Sequence, residues 1–309
     1  MALFWKTKLI AAKIETTEGT DANPGGADVV LAKNITLSPM EGKDEDRALE
    51  LPYFGSTGTI PLDLHAKLKF EVELAGSGTA GTAPAMGPLL RICAVAETIT
   101  ASTSAAYNPI TAGSESGTLH FLIENTKFAL VGARGTCTID LTSSAIPKAM
   151  LEITGLFTAP VEGTRPTPDF SAWKKPVAVT AINTPTATID TTDLVMRSFK
   201  LDLGNQVEPR FLVGSDGVLI TGKSEKIDMQ VEAVPLTTFD PFAMALAASE
   251  VAVEIVHGTV AGNIVTFNAP KAQMQRPSGI TPVQDIAEWP LSLIPAPDTG
   301  NDQWTLTFT

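Results

Sequence analysis

One ten-residue segment constrains the fold of this chain more than any other. From residue 65 to residue 74, apolar and charged residues alternate strictly. The apolar set is Leu68, Phe70, Val72 and Leu74, and the charged set is Lys67, Lys69, Glu71 and Glu73. In a strand, successive side chains point to opposite faces. The alternation therefore predicts a long β-strand in a sheet that has one dry face and one hydrated face.

The same alternation recurs in the second half of the chain, at residues 226–233. Its hydrated set is Lys226, Asp228, Gln230 and Glu232. Other segments recur around it in the same order: 34–37 with 198–201, 134–135 with 278–279, and 151–153 with 291–293. This order predicts an internal duplication, which decides the architecture. The alternative is one large β protein whose alternating strands resemble each other.

A helix follows the alternating strand in each half. In residues 88–99, Pro88 suits a first helical turn, and Leu89, Ile92 and Cys93 fall on one face. The second predicted helix, 241–253, begins with Pro241 after Asp240, which is a favourable N-cap residue. Each repeat is therefore expected to carry one flanking helix.

Composition and turn residues favour a mainly β fold. The chain of 309 residues contains 24 glycines and 22 prolines, and β-branched residues are plentiful. Residues 38–50 are polar and predict a solvated loop, and residues 158–192 are rich in proline and threonine and predict a linker. We expect two tandem β-sandwich or barrel domains, 1–157 and 193–309, joined by the linker 158–192.

The charge balance and the apolar pattern exclude some functions. Lys and Arg number 22 and Asp and Glu number 34, so the net charge is −12, which argues against a basic nucleic-acid-binding face. No segment approaches the roughly 20 apolar residues that a membrane helix needs. The first residues lack the pattern of a cleaved signal peptide. We therefore expect a protein that is made and used in a cytoplasm, or that leaves it by a route without cleavage.

No catalytic or metal-binding constellation stands out. The three histidines, His65, His120 and His257, lie far apart and match no metal-ligand spacing. Cys93 and Cys137 are expected to be buried, inert thiols. The glycine-rich residues 75–81 lack the spacing of a phosphate-binding loop. The sequence predicts a protein that is not an enzyme and has no cofactor.

The hydrated face of the two alternating strands allows two interpretations. It can be an ordinary solvent-facing sheet, or it can line a channel, since large closed sheets enclose polar lumens lined by alternate residues. A weakly acidic lining would repel phosphates and let DNA pass without sticking, because nucleic-acid binding depends on cationic neutralisation of phosphates.

Together these features resemble the major tail tube proteins of long-tailed, non-contractile bacteriophages. The resemblance rests on an N-terminal arm (1–14), the acidic segment 41–47, the alternating strand, the helix, and the recurrence of the last two. It implies β-sandwich domains with one helix each, whose sheets join those of neighbours around a lumen. Stacked rings would then form the tail tube of the virion, assembled in the host cytoplasm.

The resemblance also implies partners. These are other copies of the chain, the tape measure protein, the tail terminator and distal tail proteins, with DNA passing through at infection. Most members carry one tube domain and form hexameric rings, so a duplicated chain implies trimeric rings with pseudo-sixfold symmetry. Alternatives are a secretion or injection tube component and a two-domain β-sandwich binding or adhesin module.

Two sets of site residues follow from this resemblance. Candidates for lining the lumen are the eight hydrated residues: Lys67, Lys69, Glu71, Glu73, Lys226, Asp228, Gln230 and Glu232. Candidates for contacts between rings come from the apolar N-terminus and the acidic segment: Leu3, Phe4, Trp5, Glu41, Asp44, Glu45, Asp46 and Arg47.

Overall fold

The computed structural model describes residues 3–309 and is mainly β, with 51% of residues in strands and 6% in helices. The predicted fold class is confirmed. Two α-helices occur in the described residues, α1 at Gly87–Ile92 and α2 at Pro241–Leu246. Short 3-10 turns lie at Trp5–Thr7 and Gly26–Asp28.

Strands make up the rest of the regular structure. Ten lie before residue 163: β1 Leu9–Ile14, β2 Val29–Val30, β3 Ala32–Asp46, β4 Thr59–Glu73, β5 Val95–Thr100, β6 Ser104–Pro109, β7 Gly117–Ile123, β8 Thr126–Thr142, β9 Lys148–Phe157 and β10 Val161–Glu162. Eleven follow: β11 Thr186–Ile189, β12 Thr192–Asp193, β13 Met196–Asp202, β14 Asn205–Leu212, β15 Ser215–Lys223, β16 Lys226–Glu232, β17 Glu250–His257, β18 Val265–Met274, β19 Thr281–Val283, β20 Ile286–Pro295 and β21 Thr305–Phe308.

The two halves pair their strands in the same spatial order. In the first half the antiparallel order is β3-β4-β9-β8-β7-β1. In the second half it is β13-β16-β20-β18-β17-β11. Each helix follows the strand that corresponds to β4, namely β4 itself or β16. The same path of the chain therefore occurs twice.

The strand registers of the two halves also correspond. Lys69 lies opposite Thr36 on one side and Glu152 on the other. Asp228 lies opposite Lys200 and Ser292 in the same way. These pairs match two of the sequence alignments, 34–37 with 198–201 and 151–153 with 291–293. The third alignment was wrong: Gly135 lies opposite Ile153, and the residue opposite the equivalent Leu293 is Met274 rather than Gly279.

A ladder of hydrogen bonds joins the two halves. β13 lies antiparallel beside the C-terminal part of β8, with Lys200 opposite Asp140 and Leu201 opposite Ile139. Since β13 also pairs with β16, one sheet runs through β3, β4, β9, β8, β13, β16 and β20. We call this sheet the main sheet.

The apolar faces of the strands form one core that crosses the junction. The predicted dry residues of β4 and β16 are all buried, including Phe70 and Met229. Phe199 of β13 packs against Phe267 of β18, with ring centroids 4.9 Å apart. Leu141 from the first half and Phe199 from the second half line the same small internal space. The halves therefore share buried contacts as well as backbone pairing.

Both predicted helices are shorter than expected. Residues 95–99 belong to β5 and residues 250–253 to β17, so the ranges 88–99 and 241–253 were too long. Ala94 and Ala248 have positive φ values of 54° and 50°, a backbone conformation that ends a right-handed helix. The following residues are rich in valine, isoleucine and threonine, which favour strands. Asp240 does cap α2, because its Oδ1 accepts hydrogen bonds from the backbone N–H groups of Phe242 and Ala243.

One further segment differs from the sequence prediction. The predicted loop 38–50 is largely strand, because β3 continues to Asp46 and pairs with β4 in a long projecting hairpin. Its charged residues are hydrated on both faces, so the hairpin lacks the alternation of a half-buried strand. The interpretation of 158–192 as a linker stays a prediction, although Val179 within it is buried and Trp173 Nε1 donates a hydrogen bond to the Val29 carbonyl.

The shared core predicts that the two halves unfold together. Phe199→Ala removes a buried ring at the junction and is expected to lower the free energy of unfolding by about 3–5 kcal/mol. Urea unfolding followed by circular dichroism and by tryptophan fluorescence should still give coincident transitions. Phe54→Ala, at a fully exposed position, is the matched control and should change stability by less than about 0.5 kcal/mol. Two separate transitions, of which Phe199→Ala shifts only one, would contradict the shared core.

Candidate functional site: a charged sheet face, a projecting hairpin and the N-terminus

The eight residues predicted to line a lumen lie on one face of the main sheet. Residues directly opposite each other in neighbouring strands point to the same side. Lys69 in β4 lies opposite Glu152 in β9, and Glu152 lies opposite Thr136 in β8. Four residues further along β8, Asp140 lies beside Lys200, which lies beside Asp228. The structure therefore brings the hydrated residues of β4 and β16 onto one continuous surface, which we call the charged face.

Ion pairs cover the first half of the charged face. Lys69 Nζ lies 2.8 Å from Glu152 Oε2, and Lys148 Nζ lies 3.2 Å from Glu71 Oε2. Lys67 Nζ lies 3.2 Å from Glu41 Oε2, which links the base of the β3–β4 hairpin to the same surface. These side chains are exposed or half-buried, so each pair contributes little stability by itself. Their effect is to leave few free cations on this surface.

The second half of the charged face centres on a buried carboxylate. Glu288 in β20 is 1% exposed and forms an ion pair with Arg197, whose Nε lies 2.7 Å from Oε1. Gln230 Nε2 donates a hydrogen bond of 2.6 Å to Glu288 Oε2. The Arg197 guanidinium lowers the pKa of Glu288, because the hydrogen bond and the positive charge favour the ionised form. Nearby, Lys226 Nζ lies 2.9 Å from Asp228 Oδ1.

The formal charge of this face is weakly negative. The eight predicted residues contain three lysines and four carboxylates, 3 − 4 = −1. The strands between and beside them add Lys33, Lys148, Arg197 and Lys200, and they also add Glu41, Asp140, Glu152, Asp202 and Glu288, 4 − 5 = −1. The face is thus acidic and internally paired, with no basic stripe.

Sequence reasoning missed several members of this face. Lys200 and Asp202 alternate with Phe199 and Leu201, which is the same signal that identified β4, in a shorter strand. Glu288 gave no signal, because it is buried next to the buried Trp289 rather than alternating with it, and because it acts through contacts that only the fold brings together. Alternation finds long strands more readily than short ones.

The acidic residues predicted for ring contacts lie on the projecting hairpin. Asp44, Glu45 and Asp46 form the end of β3, and Arg47 follows it. Lys43 Nζ lies 2.7 Å from Glu45 Oε2 at a fully solvated position. Glu41 differs, because it lies at the base of the hairpin beside Lys67. Beyond the strands, residues 47–58 form a tip that exposes Leu49, Tyr53 and Phe54.

The N-terminal residues predicted for ring contacts are exposed. Leu3, Phe4 and Trp5 each expose more than half of their surface, and the Trp5 ring lies 6.2 Å from the Phe121 ring. Met1 and Ala2 lie outside the described residues. The predicted arm 1–14 was too long, because residues 9–14 form β1, which pairs with β7 and β2 and buries Ile10 and Ala11. Of the described residues, those from Leu3 to Lys8 precede β1.

The remaining candidate groups are structural. Cys93 and Cys137 are free and buried, and burial raises the pKa of Cys137 to about 12. His120 Nε2 contacts Asp21 at 2.9 Å, and Thr184 Oγ1 lies 2.9 Å from His257 Nδ1. Within residues 3–309, no three His, Cys, Asp or Glu side chains are arranged to hold a metal ion. Across the same residues, neither helix is long and apolar enough to cross a membrane.

A comparison with protein-family models decides between the classes that the sequence left open. The model described as phage tail tube protein matches residues 5–293. The chain belongs to the phage tail tube protein family. It is therefore a structural protein of a phage tail, in a family that is not enzymatic. A search of curated proteins found no match to this tail tube protein.

The ion pair between the buried Glu288 and the partly exposed Arg197 predicts a pH-dependent stability. Because the folded pKa of Glu288 is below its ordinary value, near 4.3, the Arg197 pair stabilises the fold above that pH and is lost as the pH falls through the folded pKa. Glu288→Gln should lower the free energy of unfolding by about 2 kcal/mol at pH 7, the order expected for a charge-assisted hydrogen bond. Urea midpoints at pH 7 and pH 3 measure this.

The difference between Glu288→Gln and the unmodified protein should shrink at pH 3, because the stabilisation from the ion pair falls as the pH drops below the ordinary glutamate value toward the lowered pKa of Glu288. Glu152→Gln is the matched control, because its ion pair with Lys69 is solvated and should contribute less than about 1 kcal/mol. An equal loss at both pH values would show that the ion pair does not stabilise the fold.

Proposed function

We propose that this tail tube protein polymerises into rings that stack into the tube of a long-tailed phage, with the charged face lining the lumen. The observation that carries the proposal is the main sheet, in which two equivalent units already lie side by side in one chain. A sheet with unpaired edges is a template for further pairing. Closing the sheet into a ring removes those edges.

The duplicated path of the chain supports a ring of three chains. Each chain supplies two equivalent units, so three chains give six positions, 3 × 2 = 6, with pseudo-sixfold symmetry. The main sheet has seven strands, and β18 together with β19 adds an eighth beside β20. Each chain therefore contributes eight strands, and three chains contribute 24. At about 4.8 Å between strands, 24 strands form a circumference of about 115 Å and a diameter of about 37 Å. This leaves room for side chains and a DNA duplex.

The charge of the face supports its assignment to the lumen. Apart from Lys200, its lysines are paired with carboxylates, and its formal charge is negative, so it offers few free cations to phosphates. Since DNA affinity depends on neutralising phosphates with Lys and Arg, a duplex would pass this surface without binding it. We propose that the same surface holds the tape measure protein before DNA release, and that the tube ends contact the terminator and the distal tail proteins.

The two projecting parts of the chain support contacts between rings. The hairpin tip 47–58 and the N-terminal residues Leu3, Phe4 and Trp5 expose large apolar side chains that a second ring would cover. A head-to-tail contact of this kind does not close on itself and therefore generates a filament. Asp44, Glu45, Asp46 and Arg47 would lie beside the tip in that contact.

Electron microscopy of the purified protein at increasing concentration tests the proposed assembly. We expect hollow tubes or rings whose end views show threefold or pseudo-sixfold symmetry. Persistent monomers at high concentration would contradict self-assembly, and rings of six whole chains would contradict the trimeric arrangement.

Chemical labelling of assembled tubes tests which face is luminal. Lys69→Cys places a thiol on the charged face, and Ile182→Cys places one at an exposed position outside it. A small maleimide should label both, whereas a bulky polyethylene-glycol maleimide should label only Ile182→Cys until the tubes are dissociated. Equal labelling of both by the bulky reagent would place the charged face outside the lumen.

Removal of the exposed N-terminus tests its role between rings. Deleting residues 2–8 leaves β1 intact, so the fold should be retained. The truncated protein should give rings but few or no tubes, because the apolar contact of Leu3, Phe4 and Trp5 would be lost. Abundant full-length tubes from the truncated protein, in electron micrographs taken under identical conditions, would rule out this role.

A further inference from the structure

The junction between the halves shows how one unit docks on another. β13 pairs with β8, and the β14–β15 hairpin that follows it packs across β8, β9 and β4. Asn205 Nδ2 donates hydrogen bonds to the carbonyls of Cys93 and Gly135. Arg134, which is buried, donates to the Val218 carbonyl at 2.6 Å. A strand edge and a hairpin from the second half therefore cover one side of the first half.

The equivalent side of the second half is uncovered. In the first half, Asp140 lies opposite Lys148. The residue of the second half that is equivalent to Lys148 is Glu288, and Thr281 lies opposite it. Thr281 therefore corresponds to Asp140, and its neighbour Ile280 corresponds to Ile139. Ile139 is 1% exposed beneath β13, whereas Ile280 is 61% exposed. The outer edge of β19 pairs with no other strand in the described residues.

A groove occupies the position that the β14–β15 hairpin fills in the first half. It has a volume of about 820 Å³ and is lined by Gln275, Ser292 and Ile294 on one side and by β15 on the other. By register, Ser292 and Ile294 correspond to Glu152 and Thr154. Thr154 is 3% exposed, whereas Ile294 is 44% exposed. The second half thus has a docking surface that lacks its occupant.

The element that would fill this surface is also present and free. β3 corresponds to β13, with Thr36 equivalent to Lys200 and Leu37 equivalent to Leu201. Its outer edge pairs with no strand in residues 3–309, and Ile35 and Leu37 are only half-buried, whereas Phe199 and Leu201 are fully buried. The hairpin that continues from β3 exposes Met40, Ile60 and Leu62.

We propose that a second copy of this chain docks β3 and the adjoining part of its hairpin onto the β19 edge and the groove of the first copy. The intrachain register predicts that Thr36 of one copy lies opposite Thr281 of the other, and that Leu37 lies opposite Ile280. Met40, Ile60 and Leu62 enter the groove. This inference rests on the proposed assembly and names its contact within a ring. The tip 47–58 extends beyond the footprint of the shorter β14–β15 hairpin and stays available for contacts between rings.

Two prolines make the contact between copies weaker than the junction within a chain. The Leu203 N–H group donates a hydrogen bond to the Cys137 carbonyl. Because hydrogen-bonded pairs alternate along an antiparallel ladder, every second residue of β13 and of β8 directs its backbone N–H and C=O groups toward the other strand. The equivalents of Leu203 and Leu141 are Pro39 and Pro282, which have no N–H to donate. The ladder between copies therefore has two fewer donors, which fits a contact that forms during assembly rather than during folding.

A disulfide designed from the register tests the contact directly. In the predicted ladder Thr36 and Thr281 form a non-hydrogen-bonded pair, with Cα atoms about 4.5 Å apart, which suits a disulfide. The double variant Thr36→Cys/Thr281→Cys, oxidised after assembly, should give dimers and trimers on a non-reducing gel, with the series ending at the trimer. Both threonines are exposed, so the substitutions should not disturb folding.

The controls use the same chain. Lys200→Cys/Asp140→Cys, at the equivalent intrachain pair, should form a disulfide within one chain and show that the register is correct. Each single variant, Thr36→Cys or Thr281→Cys, should give no ladder, and the native cysteines are buried and should not react.

Each other outcome overturns the inference. Tubes or rings that form without cross-links, while the intrachain control pair closes, would reject this contact and leave the proposed assembly standing. A cross-link between residues 36 and 281 of one chain, seen as a faster monomer band, would also reject it. Chains that neither assemble nor cross-link would reject both.

Discussion

The architecture of this protein depends on the pairing of open strand edges. Each repeat is an antiparallel sheet that ends in a strand edge on either side, and such edges associate with other strands unless they are covered. Within the chain, β13 covers the edge of β8 and its hairpin covers the surface beside it. Within residues 3–309, the outer edge of β3 and the edge of β19 pair with no other strand. Folding therefore completes one junction and leaves exposed the two strand edges that the proposed contact between copies would join.

The charged face follows from the same pairing. Because directly opposite residues share a face, joining β8 to β13 aligns the hydrated residues of both repeats on one surface. Their ion pairs run across strands, as between Lys69 and Glu152. Their main consequence is electrostatic: lysines paired with carboxylates are less available to phosphates. A surface of this kind suits a conduit that must contain a polyanion without retaining it.

The sequence predicted the long strands well and the shorter features less well. Strict alternation identified β4 and β16, because a period of two sustained over that many residues is typical of a half-buried strand and does not fit a helix. Residues 95–99 and 250–253 were assigned to helices because apolar residues in short windows fit either period. The alignment of Gly135 with Gly279 failed because residues 275–280 are irregular between β18 and β19 and shift the register. The Arg197–Glu288 pair could not be predicted, since only the fold brings these residues together.

The most direct test of this account is a cryo-electron-microscopy map of the assembled tube in which individual strands can be traced. The account predicts three chains per ring and a sheet that continues from β19 of each chain into β3 of the next, with Thr36 opposite Thr281. The charged face should line the channel. A ring of six whole chains, or a ring in which neighbouring chains meet through other elements, would contradict it.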